Sequence, residues 1–258
     1  MTQTSPVLSI RGLRKSFTLH TIDGRTVSSL RGVDLDVHAG EHVALAGASG
    51  AGKSSLLRCV HRSYLPDSGS VRLRIGAGAG AVPDATDPDS VELTGLADRA
   101  MARLRGREFG YVTQFLAAPP RTGPLEVVAG AARRRGLDRV AALDAAAEAL
   151  SRLNLEEALW DVDCSLLSGG ERQRVNLAAG TVSPPRLLLL DEPFSALDPA
   201  NREAAVDLVA SLAGRSVAVL AVFHDLDAMR RLASRVVLLR DGRIAREGTP
   251  DQMAEALR

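Results

Sequence analysis

Val43–Arg62 reads VALAGASGAGKSSLLRCVHR, and the fold follows from it. Val43–Ala46 is a short apolar strand. It runs into glycines and small polar residues, and an apolar-periodic helix follows at roughly Ser54–Arg62. Between them lies Gly47-x-x-x-x-Gly52-Lys53-Ser54, the spacing of a phosphate-binding loop. Glycines let the backbone turn tightly and aim successive N–H groups at one anion. The helix that follows adds the positive end of its dipole. In such a loop Lys53 bridges the β- and γ-phosphates and Ser54 offers its hydroxyl to Mg²⁺.

Working outward, the chain has 258 residues, enough for one large α/β domain with accessory lobes. Its net charge is +1, which gives no bulk argument for nucleic acid or an anionic membrane as partner. No apolar run approaches the ~20 residues that span a bilayer. The start, MTQTSPVLSIRG, lacks the apolar core of a signal peptide. The two cysteines, Cys59 and Cys164, form no metal-type cluster and read as small buried residues. A reduced, cytoplasmic protein is expected.

Before the loop, Val7–Ile10, Ser16–Leu19 and Val27–Val37 read as three short strands, with Asp23-Gly24 as a hairpin turn. Phe17 lies there, either a core aromatic or a platform for a nucleobase. After the loop helix, Pro66–Gly69 is a turn and Val71–Ile75 a strand. Gly76–Ser90 has no apolar period and reads as an exposed mobile loop. Leu96–Arg105 is a basic amphipathic helix. Its cluster Arg99, Arg103, Arg105 and Arg107 reads as a solvated face rather than a phosphate contact. Phe109–Thr113 is a strand ending at Gln114. Leu125–Leu153 reads as two alanine-rich helices broken near Gly136, within a helical lobe, and Arg133–Arg135 as a solvated patch.

Leu167-Ser168-Gly169-Gly170-Glu171 then opens a helix running to about Val182, and its glycines again present bare N–H groups. Arg186–Leu190, with four consecutive leucines, suits a strand buried on both faces of a parallel sheet. It leads into Asp191-Glu192-Pro193, at the strand end where open α/β sheets bind ligands. Adjacent strand residues face opposite ways, so the two carboxylates need different tasks. One can hold Mg²⁺. The other, reached as the chain bends at Pro193, can meet water. Ser195–Pro199 turns into a helix over Ala200–Ala213, and the apolar strand Ser216–Phe223 ends at His224. Asp225 caps the next helix, and Arg235–Leu239 with Ile244–Glu247 form a closing hairpin across Asp241-Gly242.

The order phosphate loop, Gln114, LSGGE, LLLLDEP, SALD, His224 resembles the ATP-binding-cassette ATPases along the whole chain. That resemblance implies an α/β P-loop NTPase core with an N-terminal antiparallel β lobe and an inserted helical lobe. The β lobe is expected over residues 1–42 and 70–95, and the helical lobe over 118–166. It also implies two cassettes, identical or different, that meet head to tail around ATP. Phe17 would stack on adenine. Gly47, Ala48, Ser49, Gly50, Ala51, Gly52, Lys53, Ser54 and Ser55 would hold the phosphates. Ser54, Gln114 and Asp191 would serve Mg²⁺, with Gln114 also near the attacking water as a catalytic residue, and Glu192 would be the general base. Ser168, Gly169 and Gly170 would reach the γ-phosphate of the opposite subunit. Asp198 would link the two sites and His224 would contact the γ-phosphate. Ala178-Ala179-Gly180 departs from the pattern, because many members carry an arginine near the middle position.

Within the family, FTLHTIDGRTVSSLRGVDL, HRSYLPDSG, GYVTQFLAAPPRTGPLEVV, ALWDVDCSLLSGGERQRVN and VFHDLDAMRR resemble the L subunits of the bacterial carbon–phosphorus lyase system. This implies phosphonate breakdown beside soluble lyase subunits, linked to formation of α-D-ribose 1-methylphosphonate 5-triphosphate. No residue argues for nucleosidase or radical chemistry in this chain itself. The alternative is the ATPase of a lipoprotein-release or macrolide-export transporter, partnered by a membrane permease and so membrane-peripheral. A non-hydrolysing nucleotide-binding module is the third reading, and intact Glu192 and His224 weigh against it.

Overall fold

A computed structural model describes residues 5–19, 25–75 and 89–254. Two sheets organise them. The first is antiparallel and contains β1 (Leu8–Leu19), β2 (Arg25–Val37), β4 (Ser68–Arg74) and β5 (Ser90–Glu92), in the order β2-β1-β4-β5. The first two predicted strands are one continuous strand here. Register shifts between Ile10 and Ser16 carry it past residues whose alternation is broken, which is why the sequence read as two pieces. The short strand β5 had no sequence signal. The predicted Asp23-Gly24 turn, the terminal Met1–Thr4 and most of the predicted Gly76–Ser90 loop lie outside the described residues.

The second sheet contains β3 (His42–Ala46), β6 (Phe109–Val112), β7 (Leu187–Asp191), β8 (Ala218–Val222), β9 (Arg235–Arg240) and β10 (Arg243–Gly248). Its order is β10-β9-β3-β8-β7-β6, all parallel except the edge strand β10. Both faces are covered. On β7, Leu188 and Leu190 enter one apolar cluster while Leu187 and Leu189 enter the other. Ala44 and Ala46 divide from Val43 and Leu45 on β3 in the same way. Strict alternation into two dry layers explains why these strands are apolar throughout.

One layer holds α1 (Lys53–Val60) and α2 (Asp98–Arg107), under the antiparallel sheet. The other holds α3 (Pro124–Arg134), α4 (Arg139–Arg152), α5 (Gly169–Thr181), α6 (Pro199–Ser211) and α7 (Leu226–Leu232). A short α8 (Pro250–Met253) packs near the end. Between β6 and α5 the described chain is helical, with single 3₁₀ turns at Glu157–Leu159 and Cys164–Leu166.

One arginine in each of the two groups predicted to be solvated, Arg105 and Arg135, turns inward, while Arg99, Arg103, Arg107, Arg133 and Arg134 are exposed. Arg105 donates to the carbonyls of His61 and Arg62, tying α2 to the end of α1. Arg135, at the C-terminal end of α3, is turned inward. Its guanidinium donates to Phe109 O and Gly180 O (both 3.1 Å), to Ala179 O (3.1 Å) and to Val182 O. Sequence gave no sign of this, because a triple-arginine run at a helix end reads as surface. The guanidinium from α3 meets the backbone at Ala179, the position where the sequence departs from the family pattern.

Candidate functional site

Four parallel strands end on one edge, and each delivers a predicted residue. β3 leads into the phosphate loop, β6 to Gln114, β7 to Asp191-Glu192 and β8 to His224. The phosphate loop itself is shaped by its glycines. Gly47 has φ +134°, and a Cβ there would lie 2.2 Å from Leu239 O. Gly52 has φ +106°, and its Cβ would lie 2.5 Å from Ser29 O. No L side chain fits either position, so these glycines are required by backbone packing from β9 and β2. Gly242 N donates to Ala51 O (3.3 Å), so the β9–β10 turn buttresses the loop as well. Sequence could not show this support, since it comes from nearly two hundred residues away.

A cleft of about 680 Å³ runs beside the loop, lined by Gly47–Ala51, Lys53, His224 and the Leu238–Asp241 segment. Lys53 Nζ donates to Gly47 O (2.7 Å) and Ala48 O (3.0 Å). Burial lowers its pKa, against the nearby charges of Glu192 and Asp191. Ser55 is engaged elsewhere, its Oγ 2.9 Å from that of Ser29 on β2.

A smaller cavity of about 250 Å³ adjoins the loop helix and brings Ser54, Gln114, Asp191 and Glu192 together. Ser54 Oγ donates to Asp191 Oδ1 (2.9 Å). Burial raises the Asp191 pKa, and the Ser54 bond and the charges of Arg58 and Lys53 oppose it. One hydroxyl and one carboxylate form a donor set that suits Mg²⁺, which takes few protein ligands and leaves the rest to phosphate and water. Arg58 and Tyr111 also line this cavity and were not singled out from sequence.

Glu192 adopts φ +55°, a left-handed conformation rare for a residue with a side chain. The bend predicted at Pro193 therefore starts one residue earlier. Such strain costs about 1–3 kcal/mol and concentrates at functional sites. It turns the Glu192 carboxylate away from the direction that strand alternation would give it. Glu192 Oε1 lies 2.7 Å from His224 Nε2. An ionised carboxylate only accepts, so this contact puts the proton on Nε2.

The remaining predicted residues lie elsewhere. Ser168, Gly169 and Gly170 line neither cavity and open α5. Ser168 Oγ accepts from Glu171 N (3.3 Å), while Glu171 accepts from Ser168 N (2.7 Å), a reciprocal cap. The Ser168 hydroxyl still has its own proton to donate. A Cβ on Gly170 would lie 3.1 Å from Ala196 O, so this helix start abuts the SALD turn. Asp198 caps α6 by accepting from Asn201 N (3.0 Å), and this bond holds its pKa below the usual carboxylate range. Phe17 is half-buried and meets Tyr64 edge-on at 5.1 Å, with Lys15 Nζ 5.4 Å from its ring centre. It lines neither cavity.

Residues 30–195 match the family described as ABC transporter. The chain belongs to the ABC transporter family of ATPases. This cassette is 37% identical over 245 residues to the lipoprotein-releasing system ATP-binding protein LolD of Ruegeria pomeroyi, covering 95% of this chain and 99% of that one. It is 35% identical over 251 residues to the macrolide export ATP-binding/permease protein MacB of Nitrosomonas europaea, spanning 97% of this chain but only 35% of that protein. Among solved structures, the dimeric bacterial ABC transporter cassette MJ0796 superposes with a TM-score of 0.81 at 26% identity, covering 94% of this chain and 98% of that one. The same cassette bound to ADP and Pi in a post-hydrolysis state gives a TM-score of 0.80 at 25% identity, with the same coverage. The family and these neighbours make the ABC cassette described here a P-loop ATPase.

Proposed function

We propose that this cassette is the ATP-hydrolysing subunit of a membrane transporter of the lipoprotein-release or macrolide-export type. The observation that carries this reading is the nearly end-to-end similarity to a lipoprotein-releasing ATP-binding protein. It favours the transporter alternative over the carbon–phosphorus lyase role that the sequence stretches suggested. A surface fits the reading too. Phe115 and Leu166 are each 78% exposed, large apolar side chains. Between the segments that carry them lies a groove of about 390 Å³ bounded by Leu116, Pro119, Arg121, Cys164 and Arg172. It suits a short helix of a permease. As the ATPase partner of a permease the cassette would attach peripherally; among the described residues no helix is long and apolar enough to cross a membrane.

On this reading two cassettes close around ATP, one contributing the phosphate loop and the other Ser168 and Gly170. Lys53 neutralises the β- and γ-phosphates. Ser54, Asp191 and Gln114 would hold Mg²⁺, which when bound would supply positive charge against that developing on the phosphates. Glu192 orients and deprotonates the attacking water, and His224 contacts the γ-phosphate. Phe17 supports the adenine, and Asp198 links the two sites. Phosphoryl transfer asks mainly for positioning and charge neutralisation, which this constellation can supply.

Co-purification of the tagged protein from its native cells, with and without ATP and with Glu192→Gln, tests the assignment. A multi-span permease is the expected partner. Recovery of soluble lyase subunits from detergent-free extract, with no permease in any nucleotide state, would overturn it and restore the phosphonate reading.

A further inference from the structure

We propose that Arg202 is a positioning residue for His224, acting through Asp225. The inference rests on the reading of His224 given above. Two helices start at site turns: α6 is capped by Asp198 and α7 by Asp225, the residue after His224. Arg202 lies in the first turn of α6, its N–H on Asp198 O (2.9 Å). Its guanidinium pairs with Asp225 Oδ2, while Asp225 Oδ1 accepts from Asp227 N (2.7 Å). Asp225 is thus both the cap of α7 and the acceptor of the ion pair.

Further along, the polarity reverses. Arg231 of α7 pairs with Glu203 (2.7 Å) and Asp207 (3.2 Å) of α6. The contributions from α6 are therefore positive then negative, and those from α7 negative then positive. Sliding one helix along the other brings like charges together, so the pattern holds one register. The pair nearest the site is also the better protected, with side chains 33% and 34% exposed, against 45–74% for the outer ones. Exposed ion pairs contribute little to stability, about 0–1 kcal/mol. What this clasp supplies is position. The His224 side chain is 69% exposed, and beyond its contact with Glu192 it is open to solvent. The start of α7 is what fixes its backbone, and Arg202 ties that start to the Asp198 turn. A cavity of about 380 Å³ lies between, lined by Glu192, Phe194, Arg202, His224 and Asp225. The imidazole would swing into this space if the clasp opened.

The test is steady-state ATPase kinetics on five variants. Arg202→Ala should lower kcat by roughly tenfold, since small misplacements of a reacting group are costly, and leave the KM for ATP and the melting temperature unchanged. Arg202→Lys should keep most of the rate. Asp225→Asn keeps the helix cap, loses the charge, and should match Arg202→Ala. The double variant Arg202→Ala/Asp225→Asn should be no slower than either single one, as coupled partners require. His224→Ala serves as the reference. If it retains the wild-type kcat, the reading of His224 fails and the clasp fails with it. If it abolishes turnover while Arg202→Ala keeps the wild-type rate, or while the two single effects multiply, the clasp alone is refuted.

Discussion

Arg135→Ala is expected to lower stability by about 3–5 kcal/mol, although it touches no part of the site. Arg135 donates to four backbone carbonyls, at Phe109, Ala179, Gly180 and Val182. At about 1.5–2 kcal/mol for each charged bond, these sum to roughly 6–8 kcal/mol. Against this stands the cost of burying the cation. Burial, with a smaller contribution from the charge of Arg134, pushes its pKa down to about 10 from 12.5. The guanidinium therefore stays charged at neutral pH, and holding it there costs about 3 kcal/mol. The balance is the figure above. Alanine removes these donors from all four carbonyls. Urea unfolding of wild type, Arg135→Ala and Arg135→Lys reads it directly. The alanine variant should melt about 10 °C lower. Lysine, with a point charge instead of a planar fork, should recover part of the loss. An alanine variant within about 1 kcal/mol of wild type would mean that water replaces the guanidinium and that the network is not structural.

Other expectations concern the site and its pH range. Lys53→Ala should abolish ATP binding or turnover without unfolding the chain, because its side chain touches only the loop carbonyls; a folded variant with unchanged Mg·ATP affinity and turnover would remove the phosphate-loop assignment. Glu192→Gln keeps an oxygen that can accept from His224 but loses the base, so hydrolysis should slow while ATP binding persists and an ATP-held dimer appears by light scattering; normal turnover would mean that another group activates the water. His61 is packed against Phe109 and Tyr111, and burial lowers its pKa to about 4. The unfolded chain, with the ordinary value of 6.5, binds the proton first on acidification. Stability present above pH 6.5 is thus lost as pH falls toward about 4, by up to about 3 kcal/mol. His61→Phe should flatten that limb of a melting-temperature profile, and an unchanged acid limb would refute the assignment.

The parts of this protein that repeat local physics were legible in its residues. Glycine spacing set the phosphate loop, four leucines in a row set the doubly buried β7, and single residues at strand ends set the edge where Gln114, Asp191, Glu192 and His224 gather. Each depends on neighbours within a few positions, so one stretch carries the information. Contacts between distant stretches decided the rest. β9 closes on Gly47, β2 closes on Gly52, and Arg135 leaves an apparent surface run to bind carbonyls of α5 and β6. The left-handed bend at Glu192 sits where its N–H donates to Val222 O of the neighbouring strand (3.1 Å), a contact that only the assembled sheet provides. A side chain's reach and a backbone's strain depend on what packs against them, and packing is set only when the two sheets and their helices have come together.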